Sequence, residues 1–86
     1  MDRDLILEHL AGAERRIASA RKEITEQIEF IAWLRWFRKD VAGAIALLRE
    51  FERGLAGRIA DRNRLRAQLA SDSLAALVTP AAHAVR

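Results

Sequence analysis

Apolar residues recur in this chain at Ile6, Leu10, Ala13, Ile17, Ala20, Ile24, Ile31 and Leu34, in steps of four, three, four, three, four, seven and three. Alternating steps of three and four hold one stripe of a helix against a neighbour along its length, a spacing no strand shares. The spacing therefore predicts one long helix over about 3–37. The stripe skips one step at Gln27, where the adjacent Ile28 is expected to supply the apolar contact. Asp2 or Asp4 can cap the start, and Asp4 and Glu8 suit the positive end of the helix dipole.

A helix with one apolar stripe needs a second to cover it. Val41, Ala44, Ile45, Leu48, Phe51, Leu55, Ile59, Leu65 and Leu69 form a matching stripe, which predicts a second helix over about 41–70. Gly43, Gly54 and Gly57 weaken that helix by up to ~1 kcal/mol each relative to alanine, and are places where another helix can approach closely. Between the stripes stands Arg38-Lys39-Asp40. Basic residues suit a helix C-terminus, and Asp40 suits the N-cap of the next helix. No Gly or Pro marks this turn, so two arrangements stay open at residues 38–41. One is an antiparallel hairpin, favoured because the apolar register is disturbed here; the other is a continuous rod of about 70 residues, roughly 100 Å long. In the hairpin Leu48 falls near Ile31, and Leu69 near Leu10.

Ser71-Asp72-Ser73 interrupts the second stripe with three cap-forming residues. Leu74, Ala75, Leu77 and Val78 can add a short helical turn before Thr79-Pro80 ends it, leaving Ala81 to Arg86 as a flexible tail. Residues 1–71 are thus the hairpin and 72–86 an appendage. Composition agrees with an all-α fold. Alanine, leucine, arginine and glutamate dominate, against four glycines and a single proline.

At 86 residues the chain is one small domain with a marginal core, and the absence of cysteine removes any disulfide or thiolate staple. His9 and His83 are isolated, so no metal site is expected. The carboxylates Glu23, Glu26 and Glu29 recur every three residues along one side of a thin helix, where no shaped cleft exists for acid–base work. They predict a solvated face, with Glu26 placed to pair with Arg53. The four glycines are scattered and make no phosphate-cradling loop. No enzyme and no cofactor are expected.

The block Phe30 to Phe37 is the strongest functional signal. At about 100° per residue, Phe30, Trp33 and Phe37 fall nearly opposite Ile24, Ile28 and Ile31, with Trp36 to one side. The first helix is therefore apolar all round at this end, and one neighbour can cover only one face. Phe30, Trp33, Trp36 and Phe37 are expected to bury at a contact between copies, giving a dimer with a four-helix core. The other readings are a surface for a different protein, and peripheral membrane attachment helped by Arg35, Arg38 and Lys39.

The net charge is +3, and its excess lies in the second half, where Arg53, Arg58, Arg62, Arg64 and Arg66 face only Asp61. Arg58, Arg62 and Arg66 share one helix face at steps of four. Their stems are expected to pack while their guanidinium groups reach water or acids on the first helix, Glu14 above all. The sharper reading is an anion surface for nucleic acid. The charge is small for that, and no recognised nucleic-acid motif accompanies it. The longest apolar block is eight residues and is interrupted by Arg35, far short of the ~20 a membrane span needs. The acidic start Met1-Asp2-Arg3-Asp4 is unlike a secretory leader, so a cytoplasmic location is expected.

The segments Met1-Asp2-Arg3-Asp4-Leu5-Ile6-Leu7-Glu8-His9-Leu10-Ala11, Ala13-Glu14-Arg15, Leu47-Leu48-Arg49-Glu50-Phe51-Glu52 and Ile59-Ala60-Asp61-Arg62-Asn63-Arg64-Leu65-Arg66 resemble a family of short uncharacterised bacterial helical proteins. The resemblance spans about 70 residues. The family's turn is usually a Gly-His-Asp-like segment, replaced here by Arg38-Lys39-Asp40, and the aromatic block stands where the family has a polar helix end. The resemblance implies a helical hairpin and a bacterial cytosolic origin, and it brings no catalytic residues. The expected role is that of a small structural or interaction protein that self-associates.

Overall fold

The computed structural model describes the backbone of residues 2–85 and the side chains of residues 2–75 and Leu77. These residues form two α-helices, α1 (Arg3–Trp36) and α2 (Ala42–Val85), packed against each other as an antiparallel hairpin. The continuous rod is thereby excluded. The hairpin measures 75 × 16 × 15 Å, with a radius of gyration of 20.6 Å. A compact domain of this length would have a radius near 12 Å.

The turn works without glycine. Lys39 N–H donates to the Leu34 carbonyl at 2.9 Å and Arg38 N–H to the Arg35 carbonyl at 3.0 Å, the paired bonds of a Schellman cap. That cap needs a left-handed residue just past the helix, and Arg38 takes the position with φ 55°. An L-residue with a Cβ pays roughly 1–2 kcal/mol for this conformation. Asp40 then opens α2, its Oδ1 accepting the Ala42 N–H at 3.0 Å. Arg38, Lys39 and Asp40 thus stop one helix and start the next, in the roles their charges suggested.

Along the seam, α1 buries Ile6, Ala13, Ile17, Ala20 and Ile31, as the spacing predicts. Val41, Ala44, Ile45, Leu48, Phe51, Leu55, Ile59, Leu65 and Leu69 of α2 are all half-buried, matching the second stripe. The skipped step differs from expectation. Gln27 itself is in the seam, 9% exposed, while Ile28 is 52% exposed on the flank. The rhythm Ile24, Gln27, Ile31, Leu34 preserves the three–four alternation, so geometry keeps position 27 inside whatever its polarity. Its amide is satisfied, because Gln27 Nε2 donates to the Ala44 carbonyl at 2.9 Å. A carbonyl has two lone pairs and can accept this bond beside its helical one.

The second helix is longer than expected. It runs to Val85 where the stripe suggested an end near Ala70, and Ser71-Asp72-Ser73 does not interrupt it. Asp72 and Ser73 are half-buried, and Arg3 Nη1 donates to Ser73 Oγ at 2.8 Å, tying the segment to the start of α1. Each such residue costs a helix only about 0.5 kcal/mol. Pro80 also falls inside the helical range instead of ending it, with alanine-rich helix formers on either side. The expected flexible tail is thus helical in its backbone as far as Val85; Arg86 and the side chains of residues 78–85 lie outside the described residues. Since Arg3 lies against Ser73, residues 74–85 overhang the hairpin by roughly 18 Å.

The glycines do not face α1. A Cβ at Gly43 or Gly57 would meet nothing within 4 Å, and one at Gly54 only Arg58 Nη1 at 3.8 Å.

Candidate interaction surface

The last two turns of α1 carry the aromatic block. Steps of three and four bring Phe30, Trp33 and Phe37 onto one flank, where their rings form a ladder. Phe30 and Trp33 stack at 6.2 Å between centroids and 10° between planes, and Trp33 and Phe37 meet at 4.8 Å and 45°. Each such pair contributes about 0.5–1.5 kcal/mol and stiffens the flank. The rings nonetheless stay in water, with Phe30 48%, Trp33 49% and Phe37 54% exposed. Trp36 points away from the ladder, at 83% exposure. The four aromatics expected to act together are therefore a three-ring flank and one separate tryptophan.

Two further apolar features at this end escape a reading of the block alone. Leu47 on α2 is 41% exposed. At about 100° per residue it lies on the flank of α2 opposite Ile45, the same side of the seam as the ladder. Opposite the ladder, Ile28, Ile31, Ala32, Arg35, Ile45 and Leu48 line an apolar groove of about 330 Å³. Both are legible only when the two helices are set in register. The apolar end is a property of the pair.

The arginine surface divides. Glu14 Oε1 accepts from Arg66 Nη2 at 3.0 Å and lies 3.9 Å from Arg62 Nε, so one carboxylate holds two of the three arginines. The Arg62 side chain is only 17% exposed, its stem filling the gap in the stripe between Ile59 and Leu65. Of the three, Arg58 is the one exposed without an ion pair among the described residues, beside a shallow cleft formed by Gly12, Arg15, Arg16, Ser19, Ala20 and Glu23. Arg64 pairs with Asp61 on the same helix. Glu23, Glu26 and Glu29 are exposed, and Glu26 makes no ion pair with Arg53. The reason is angular: at about 100° per residue these two lie on opposite flanks of the seam.

His9 borders a second shallow cleft with Arg16, Asp61, Arg64, Leu65 and Gln68. Among the described residues no group of His, Cys, Asp or Glu could hold a metal ion, and no helix is long and apolar enough to cross a membrane. No family model, no curated protein and no solved structure matches the chain. The surface itself must therefore carry the functional argument.

Proposed function

We propose that this chain is a small non-enzymatic structural or interaction protein that self-associates through the aromatic flank of α1, two hairpins forming a four-helix bundle. The observation that carries this reading is the exposure of Phe30, Trp33, Trp36 and Phe37 at one end of the rod, each at 48% or more. Burying half-exposed aromatic side chains gains about 25 cal/mol per Å² of apolar surface. Their rings are already ordered by stacking, so little side-chain entropy is lost on docking. The bacterial cytosolic setting of this proposal comes from the family resemblance.

Light scattering behind size-exclusion chromatography tests it on the native chain and on Trp33→Ala/Phe37→Ala. The expected result is an oligomer that loses mass in the variant while keeping its helical circular dichroism. A folded native monomer would refute self-association.

A membrane reading has one observation in its favour. Trp36, the most exposed large apolar residue described, lies beside the exposed Arg38 and Lys39 of the turn. It requires flotation with anionic vesicles that is lost in Trp36→Ala. The nucleic-acid reading is weaker, since Glu14 offsets one of the two charges that Arg62 and Arg66 would offer.

A further inference from the structure

We infer that the cleft where Arg15 and Arg16 of α1 meet Arg58 of α2 is a binding site for a single phosphate group, carried as inorganic phosphate or as a small phosphomonoester. The inference goes beyond self-association and does not rest on it.

Helical side chains tilt toward the N-terminus, so each covers the surface three or four positions before it. Arg15 and Arg16 follow Gly12 by three and four, and both lie over a position with no side chain to displace them. Arg16 Nη1 lies 3.3 Å, and Arg15 Nη2 3.7 Å, from the point a Cβ on Gly12 would occupy. The two cationic nitrogens are therefore no more than about 7 Å apart. A similar arrangement recurs on α2, where Arg58 Nη1 lies 3.8 Å from the Cβ position of Gly54, four residues before it. All three arginines line one cleft of about 200 Å³, together with Ser19 and Glu23.

Charge and size define the ligand. None of the three arginines makes an ion pair among the described residues, and Glu23 is the only acid lining the cleft. Asp61, three residues from Arg58, is taken by Arg64. Cations gathered in this way repel one another, and an anion between them removes the repulsion. A phosphate accepts guanidinium N–H bonds at about 2.7–2.9 Å on several oxygens, so groups at this spacing can reach one phosphate together. The cleft is smaller than the ~300–1,000 Å³ of sites for drug-sized molecules, which fits a small anion. A nucleic-acid backbone is less well served. The exposed Glu23 and Glu26 follow Ser19 along α1, and Arg62 and Arg66 share Glu14, so acids interrupt the basic surface on both sides.

Titration at low ionic strength, followed through the arginine Nε–Hε resonances by heteronuclear NMR, tests the assignment. Inorganic phosphate is expected to shift Arg15, Arg16 and Arg58 along one saturable curve. Arg16→Gln and Arg58→Gln should each weaken binding about five- to tenfold, the loss of a charge-assisted hydrogen bond at an exposed site. Glu23→Gln should tighten it. Arg53→Gln removes the same charge from an exposed position outside the cleft and should leave the curve where it is. All four substitutions fall on exposed residues, and circular dichroism checks that the helices are unchanged. Glycerol phosphate distinguishes the source: tighter binding than inorganic phosphate marks a phosphomonoester site, and weaker binding a site for the free ion. No saturable shift with either ligand, or an equal loss in Arg53→Gln, would overturn the inference and leave the proposed function untouched. A single-stranded oligonucleotide that binds far more tightly than either, with its shifts spread over Arg62, Arg64 and Arg66, would also overturn it in favour of an extended anion surface.

Discussion

The two ends of this rod use the same helices to opposite effect. At the open end Ile6 and Ile17 are 1% and 2% exposed, and polar side chains close the sides: Arg3 reaches Ser73, and Glu14 gathers Arg62 and Arg66. At the turn end the seam narrows to Gln27 and Ile31 while large apolar residues spread over both flanks. The open end buries its seam more fully, although Leu5, Leu7, Leu74 and Leu77 remain exposed there. The turn end holds apolar surface that one hairpin cannot cover, which is what an assembly surface requires. In the proposed function, stability and association fall to different ends of one small protein.

The sharpest challenge to that division is a pair of truncations. Ile17→Ala should cost about 2–4 kcal/mol in urea unfolding, since it leaves a cavity in the buried seam. Trp33→Ala should cost the isolated hairpin less than half as much while abolishing the larger assembly. Equal losses measured at low protein concentration would break the comparison.

Next in size is the buried amide. Gln27→Ala should cost about 1–3 kcal/mol by losing both packing and a part-buried hydrogen bond. Gln27→Leu should stay within about 1 kcal/mol of the native chain, because the Ala44 carbonyl keeps its helical partner. A leucine variant as unstable as the alanine one would mean that the hydrogen bond, rather than the volume, sustains this part of the seam.

Two backbone substitutions should stabilise. Arg38→Gly relieves the left-handed residue of the turn and should add about 0.5–1 kcal/mol. Gly57→Ala should add up to ~1 kcal/mol, since its Cβ enters open space. Thermal unfolding reads both; a loss in Gly57→Ala would show that another chain packs against that position. The smallest effect belongs to Glu14→Gln. With Glu14 42% and Arg66 55% exposed, the pair should contribute no more than about 1 kcal/mol and fade with added salt.

The seam residues, both stripes, the Glu14 pairing and the aromatic block were readable from residue spacing. Each depends on positions within one helix or on the antiparallel sense of two. The Glu26–Arg53 expectation failed where spacing along the chain was used without the angle around each helix. The length of α2 was missed for a different reason: Ser71-Asp72-Ser73 reads as a cap in isolation, yet Arg3 and the packing on α1 hold it in the helix.

By itself the sequence determined that this protein is helical, where each helix turns its apolar stripe, and that one end carries more apolar surface than a single partner helix can bury. Those properties are periodic, and periodicity is local. The tertiary structure alone decided that Arg38 takes a left-handed turn, that Gln27 enters the seam, and that the ladder and the groove fall on opposite sides of the hairpin. The turn at Arg38 closes on the end of α1 itself, while the other two arise when the helices come into register, because only then does a residue acquire a neighbour from the other chain segment to bond, to cover it or to leave it in water.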